Sequence, residues 1–255
     1  MTKPYEVFAQ YYDYHMRHVD YPRWLQQILT LYARHSKRTL HKVHELACGT
    51  ANVASLLVEQ GYQVSASDSS NAMLQIAQTK QFAPELSLAD MTAALPDKGY
   101  DLVLCLFDSI NYLLADDQVH QLLNSVAAAL PAEGLFIFDI STLKNSLDNF
   151  NHYVDVVDKD DCYLVHQADY DELKHRQITH LTMFQRYDNH YLRSDETHEQ
   201  KVYRCAELSY IIDNSPLICE GIYSLYYDKN MIKQNINKLD YQYSRLFFVL
   251  KKPVK

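Results

Sequence analysis

Four acidic residues sit where short apolar segments end: Glu45, Asp68, Asp90 and Asp108. The first belongs to Val43-His44-Glu45-Leu46, which reads as a buried strand. Ala47-Cys48-Gly49-Thr50-Ala51 then reads as a tight turn of small residues. A helix follows from Asn52, with Val53, Leu56 and Leu57 at helical spacing and Gly61 as its stop. Such a turn lets a ligand approach the backbone and sets it against the free N–H groups of a helix N-terminus. Val64-Ser65-Ala66-Ser67-Asp68 is a second strand ending in a carboxylate, 19 positions beyond Gly49. At that spacing a second-strand acid meets a ribose hydroxyl pair in nucleotide-type folds. The pattern therefore predicts binding of a nucleoside-bearing cofactor.

The turn also restricts which cofactor it suits. A dinucleotide needs G-x-G-x-x-G because its pyrophosphate lies almost on the backbone. Here only Gly49 is glycine, Ala51 and Asn52 fill the next slots, and the whole chain has five glycines in 255 residues. No G-x-x-x-x-G-K-[ST] run is present to cradle phosphates. A nucleoside cofactor without phosphates remains.

The segment from Glu45 to Asn52 resembles the first motif of the class I S-adenosylmethionine-dependent methyltransferases. The resemblance continues in order through most of the chain. Ser67-Asp68-Ser69-Ser70-Asn71-Ala72-Met73-Leu74 is similar to the family's second-strand acid and capped helix, and Ala89-Asp90-Met91 to its third-strand acid. The run from Tyr100 to Leu113 resembles the fourth strand and active-site loop, and the run from Leu130 to Ile140 the turn and fifth strand. Members with a β-rich insertion after the fifth strand are the most similar.

By this resemblance Cys48 to Ala51 line the amino-acid end of S-adenosylmethionine, Glu45 and Ala47 belong to the same cofactor site, and Asp68 grips the ribose. Ser69 and Met73 edge the adenine pocket, Asp90 accepts from the adenine amino group beside Met91, and Phe107 and Asp108 line the methyl-donor end. The family usually has glycine where Ala51 stands, so an extra methyl is expected to face the cofactor. Methyl transfer from a sulfonium is an in-line displacement, in which alignment can supply about 7–11 kcal/mol of the barrier. A general base is needed only for a protonated acceptor. No triad is visible, and Asp108, Asn111, Tyr112, Glu196 and His198 are the acceptor-side candidates, with Asp108, Asn111 and His198 the catalytic choices.

Each residue has a plainer structural alternative. Glu45 can fix its loop by accepting backbone N–H groups, and Asp68 can cap the helix after Ser69. Asp90 can cap Thr92, while Asp108 and Asn111 can shape the turn after strand four. Glu196 and His198 share one face of Asp195-Glu196-Thr197-His198-Glu199 by period two. They either hang over the pocket or pair across an exposed sheet near Lys201 and Arg204. Of the 21 tyrosines, Tyr5, Tyr11, Tyr12, Tyr21 and Tyr112 are placed to cap a cationic donor or a flat acceptor. Tyr12 is the one assigned to the cofactor, the others being equally consistent with hydrogen-bonded core rings.

The elements that must position these groups follow from hydrophobic patterning. Tyr5, Phe8 and Tyr12, then Trp24, Leu25, Ile28, Leu29 and Tyr32, predict two N-terminal helices over a sheet, broken near Asp20-Tyr21-Pro22. Strands and helices alternate from Lys42 to Ile140, which implies a parallel sheet with right-handed crossovers. Leu102–Phe107 and Leu135–Ile140 are apolar throughout, as central strands covered on both faces must be. Val119, Leu122, Leu123, Val126 and Leu130 predict a helix between them, opened by Asp116 and Asp117. Beyond Ser141, Tyr163–Tyr170, Gln177–Tyr187 and Tyr191–Tyr203 alternate as antiparallel strands. Ala206–Ile212 reads as a helix, and Leu217–Tyr227 and Ser244–Leu250 as strands.

The expected fold is α/β, a Rossmann-like, doubly wound, mostly parallel sheet with an antiparallel β insertion. Residues 1–150 and 206–255 form the methyltransferase core with an N-terminal helical lid, and residues 151–205 form the insertion over the active site. Hydrophobic content of 47% and charged content of 22% suit a globular protein of this size.

Composition narrows the partners and compartment. Five cysteines without a C-x-x-C pair indicate reduced, buried thiols and no zinc site. His41 and His44 point to opposite faces of a strand, so no metal is expected there. A formal charge of −8 disfavours nucleic acid, the lysines at 229–238 and 251–255 reading as solvated faces or tails. No apolar run spans a membrane and residues 1–6 lack a secretory pattern, so the cytoplasm is the default. The aromatic insertion can serve as a homodimer face. The function implied is methyl transfer to a nitrogen or oxygen of a small molecule. The alternatives are a cofactor-binding protein without turnover and, with the missing glycines against it, a nicotinamide-dependent oxidoreductase.

Overall fold

The computed structural model describes residues 4–159, 161–226, 229–231 and 234–254. Its centre is a seven-stranded sheet in the order β10-β11-β5-β4-β1-β2-β3. The five parallel strands are β1 (Lys42–Leu46), β2 (Gln63–Asp68), β3 (Glu85–Leu88), β4 (Leu102–Cys105) and β5 (Leu135–Ser141). Strands β10 (Ile218–Ser224) and β11 (Arg245–Lys251) extend it antiparallel, β11 pairing with β5.

Alternation along the central strands supplies two cores. Val103 and Cys105 of β4, with Phe136 and Phe138 of β5, face one side. There they meet α5 (Asp116–Ala129) through Val119, Leu122, Leu123 and Val126, and α7 (Cys205–Asp213) through Leu208, Ile211 and Ile212. Leu102, Leu104, Leu135 and Ile137 face the other side. They meet α2 (Tyr21–His35) through Trp24, Leu25 and Ile28, and α3 (Asn52–Glu59) through Val53 and Leu57. With both faces covered, β4 and β5 are buried at every position.

The remaining helices make the connections. α4 (Asn71–Ala77) follows β2, α6 (Leu143–Asn145) runs into a π-helical turn over Ser146–Phe150, and α8 (Ile236–Gln242) precedes β11. The sequence pattern missed α8. Asn235 caps it, and its buried Asp240 accepts from the Cys205 N–H at 2.9 Å, fixing the start of α7.

A second, four-stranded antiparallel sheet runs β6 (Tyr153–Lys159), β7 (Cys162–Asp171), β8 (Arg176–Tyr187) and β9 (His190–Lys201). Strand β6 went unrecognised because its pattern breaks the usual binary code: Val154 and Val156 point to solvent while Asp155 turns inward. The predicted strand over Leu217–Tyr227 is observed as β10, and Tyr227, Lys233 and Lys255 lie outside the described residues.

The two N-terminal helices separate in their roles. Asp20 accepts from the Arg23 N–H at 3.0 Å and starts α2, which covers the parallel sheet as expected. α1 (Ala9–His15) does not lie on that sheet. Its Phe8–Tyr11 stripe packs instead on Cys162, Leu164, Leu181 and Met183 of the insertion, which present the nearer apolar face. Among the described residues no helix is long and apolar enough to cross a membrane.

Candidate active site

The turn after β1 is built from backbone. Ala47, Gly49 and Ala51 have φ of 49°, 55° and 58°, so three of five residues are left-handed. That bend aims the Gly49 N–H at Asp68, whose Oδ2 accepts it at 2.8 Å. Asp68 Oδ1 accepts the Ser70 N–H at 2.8 Å, and Ser70 caps α4 through the Met73 N–H. Asp68 thus ties the first turn to the end of β2, beside the β1/β4 switch point where such sheets bind ligands. Left-handed alanine costs about 1–2 kcal/mol, which packing must offset. Ala51 is fully buried in the core beneath α3, so its methyl packs inward, contrary to the expectation that it faces the cofactor.

Glu45 sits under this turn, 3% exposed, with its Oε2 lacking any hydrogen-bond partner. Burial pushes its carboxyl up to about 8. A buried acid with an idle acceptor atom calls for a cation or a strong donor. On the outer rim, Asp13 accepts from Thr50 Oγ1 at 2.6 Å and Asn52 Nδ2 at 2.9 Å, binding the turn to α1. Further along the edge Asp90 is exposed, one oxygen capping the Thr92 N–H at 2.8 Å. Ser69 is exposed beside it, Met91 half-buried, and Met73 buried beneath α4.

The far end of β4 is built from side chains. Phe107 and Asp108 are both left-handed, with φ of 56° and 51°. Phe107 stacks on Trp24 at 4.2 Å. Asp108 pairs with Arg245 Nη2 at 2.6 Å and accepts from Gln200 Nε2 at 2.7 Å. The same guanidinium bonds Asp139, which in turn accepts the Asp108 N–H at 2.9 Å. Burial raises the Asp139 carboxyl to about 6 against the pull of Arg245. Arg245 is itself held charged: its burial opposes the proton, but Asp108 and Asp139 more than compensate.

Asn111 has a different role from the catalytic one expected. Its amide donates to the carbonyls of Ser141 and Lys201 and accepts the Ser141 N–H, and the side chain is buried away from the cavity. It staples the β4 loop to β5 and β9.

Glu196 and His198 do share a face, and it is the buried one. Glu196 accepts the N–H groups of Tyr5, Val7 and Phe8 at 2.8, 2.7 and 2.9 Å. Burial opposes its charge, but the bonds from His198 and those three N–H groups win, and its carboxyl titrates below its ordinary value. His198 Nε2 lies 3.3 Å from Glu196, its Nδ1 lies 3.0 Å from the Tyr112 hydroxyl, and that hydroxyl is 2.7 Å from Tyr5 Oη. Burial raises both phenols.

A cavity of about 1050 Å³ opens between these groups and the insertion sheet. Of the residues predicted for the site, Tyr12, Phe107, Asp108, Tyr112 and His198 line it. Glu45, Ala47, Cys48, Gly49, Thr50, Ala51, Asp68, Ser69, Met73, Asp90 and Met91 do not; they lie along the β1–β3 edge. Tyr5 and Tyr12 touch both regions. The Tyr5 carbonyl accepts from Ser70 Oγ at 2.8 Å, and Tyr12 Cε1 lies 3.9 Å from where a Gly49 Cβ would be. Sequence reasoning missed Asp139, Gln200 and Arg245. Two had a signal: Asp139 is a charge inside an apolar run, and Arg245 heads another.

An open sheet of this order, with an acid-braced turn at its switch point and an antiparallel sheet over the strand ends, is the architecture of the class I methyltransferases. The family described as "Methyltransferase domain" matches residues 43–134. The Bacillus subtilis (strain 168) protein named "Putative methyltransferase YqeM" is 30% identical over 216 residues, 82% of this chain and 85% of that protein. The chain belongs to the methyltransferase family that these matches define, whose class I members use S-adenosylmethionine. A solved S-adenosylmethionine-dependent methyltransferase from Clostridium acetobutylicum ATCC 824 shares the fold, with 24% identity and a TM-score of 0.81, over 97% of this chain and 98% of that one. The sugar N-methyltransferase KedS8 from Streptoalloteichus sp ATCC 53650 shares it at 16% identity and a TM-score of 0.73, over 94% and 91%. The residues present suit the cofactor. Its ammonium and sulfonium charges match the idle Glu45 oxygen and the acids on this edge, and the phosphate-free crevice needs no second glycine.

Proposed function

We propose that the enzyme methylates the nitrogen of a small amine held in the 1050 Å³ chamber. In this reading Glu45 and the Ala47–Ala51 turn hold the amino-acid end of S-adenosylmethionine, and Asp68 its ribose. Asp90 and Met91 hold the adenine, with Ser69 and Met73 at its edge, and Tyr12 and Phe107 flank the sulfur end. When bound, the cofactor supplies an electrophilic methyl carbon.

The observation that carries the reading is the hydrogen-bonded run Glu196–His198–Tyr112–Tyr5 at the chamber wall. An ionised Glu196 keeps the proton of His198 on Nε2, so Nδ1 accepts from the Tyr112 hydroxyl. Tyr5 donates to Tyr112, leaving a lone pair on the Tyr112 oxygen for an N–H of the acceptor. The run would then relieve the acceptor of its proton, the amine proton passing to Tyr112 and the phenol proton to Nδ1 of His198. Asp108, saturated by Arg245 and Gln200, positions the loop and sets a negative field toward the developing ammonium. The name of the KedS8 relative, an N-methyltransferase, supports nitrogen over oxygen.

The test is transfer of a labelled methyl group from S-adenosylmethionine to a panel of small amines and matched alcohols. Amines are expected to be methylated, and Tyr112→Phe to lower kcat roughly 10²-fold while donor affinity holds. Methylated alcohols alone would sink the nitrogen assignment. Tight donor binding with no transfer to any acceptor would point to binding without turnover.

A further inference from the structure

The chamber has a second polar end that the transfer chemistry leaves unused. His166 of β7 lines the cavity and is 8% exposed, and both its ring nitrogens are buried with no hydrogen-bond partner. Burial, aided by His15 and His198, pulls its imidazole down to about 4, so at neutral pH it presents one donor and one acceptor without charge. Aromatic edges surround it: Tyr153 at 5.1 Å, His15 at 5.7 Å and Phe150 at 6.4 Å. Buried polar groups in native proteins are nearly always paired, so these two nitrogens call for a partner that reaches them from the adjoining cavity, water or a bound molecule.

Strand register fixes its place. His166 lies opposite Leu181, and Leu181 opposite Glu196, so β7 and β9 stand two strands apart, about 10 Å. His198 is two residues beyond Glu196 on the same face.

We propose that His166 recognises a neutral hydroxyl or carbonyl on the planar part of the acceptor, at the opposite end of the chamber from the nitrogen that receives the methyl. This rests on the chamber being the acceptor site. A ring flanked by Tyr153 and Phe150, with a short arm to an amine at Tyr112, spans the two ends. The substrate class is therefore an arylalkylamine or comparably flat amine with a polar ring substituent.

Tyramine and phenethylamine differ only in the ring hydroxyl and serve as probes. Their binding is measured by calorimetry on the full chain saturated with S-adenosylhomocysteine, for wild type, His166→Phe and His166→Asn. Wild type is expected to hold tyramine roughly tenfold or more tighter than phenethylamine. The preference should fall within twofold in His166→Phe and partly return in His166→Asn, with S-adenosylhomocysteine affinity unchanged throughout. Equal affinities in wild type, no binding of either probe, or a preference that survives in His166→Phe overturns the proposal. Failure of methyl transfer alongside an intact, His166-dependent preference would strike the functional reading alone.

Discussion

The turn after β1 and the chamber under the insertion hold polar ligands by opposite means. The turn spends backbone: left-handed residues at 47, 49 and 51 aim N–H groups, and one acid 19 positions later braces them. The chamber spends side chains gathered from far apart. Arg245 reaches back to Asp108 and Asp139, Gln200 reaches across from the insertion, and Glu196 holds the N–H groups of Tyr5 and Phe8. A backbone cradle accepts many side chains and is specified locally. A side-chain chamber is specified pair by pair, and it is where acceptor choice can vary without disturbing the cofactor.

That contrast is open to attack at several strengths. The largest effect is expected from Arg245→Met, which leaves Asp108 and Asp139 facing each other without their cation. Removing one partner of a buried ion pair costs about 3–5 kcal/mol. Urea unfolding should show a loss of that order, and a loss below about 1 kcal/mol would mean the acids do not depend on Arg245.

On the cradle side, Glu45 gives a pH signature. Its folded-state value, about 8, lies above its ordinary 4.5, so the folded chain binds more protons than the unfolded one between these values. Stability should therefore fall as pH rises from about 5 to 8, by up to about 1.4 kcal/mol per pH unit from this group. Glu45→Gln should flatten the slope in thermal melts of the protein without cofactor. An unchanged slope would place the titration elsewhere.

Asn111→Ala strips three bonds from buried backbone groups and should cost about 2 kcal/mol, with kcat unchanged in the folded fraction. A kcat loss larger than the folded fraction explains would return Asn111 to the chemistry. The smallest effect belongs to Ala51→Gly. Relief of the left-handed strain and the greater freedom of the unfolded glycine chain nearly cancel, so stability should move by less than about 1 kcal/mol. Affinity for S-adenosylhomocysteine should barely change, because the methyl points into the core. A large gain in affinity would show that it does face the crevice.

The contrast also explains what could be read from the sequence. Strands β1 and β2, the turn between them and its bracing acid are encoded within residues 42–68, by strand runs, small residues and one glycine in the turn. The family's motif order carries over to them directly. The chamber is encoded by contacts such as Asp108 to Arg245, for which no local pattern exists. Strand β6 escaped because it turns Asp155 inward and Val154 and Val156 outward, which breaks the usual binary code. Asn111 was misjudged for a related reason. An asparagine after a strand is equally suited to a ligand or to stray carbonyls, and only the return of β9 past Ser141 decides between them.

Tyr5 belongs to both regions at once. Its carbonyl takes the Ser70 hydroxyl on the nucleoside side, its phenol meets Tyr112 on the other, and its N–H is gripped by Glu196. A molecule that shifts this residue from one flank forfeits or improves bonds on the opposite flank. Thermodynamic reciprocity then obliges donor and acceptor to alter each other's dissociation constants by one shared factor. The magnitude of that factor can be read by titrating S-adenosylhomocysteine with and without tyramine.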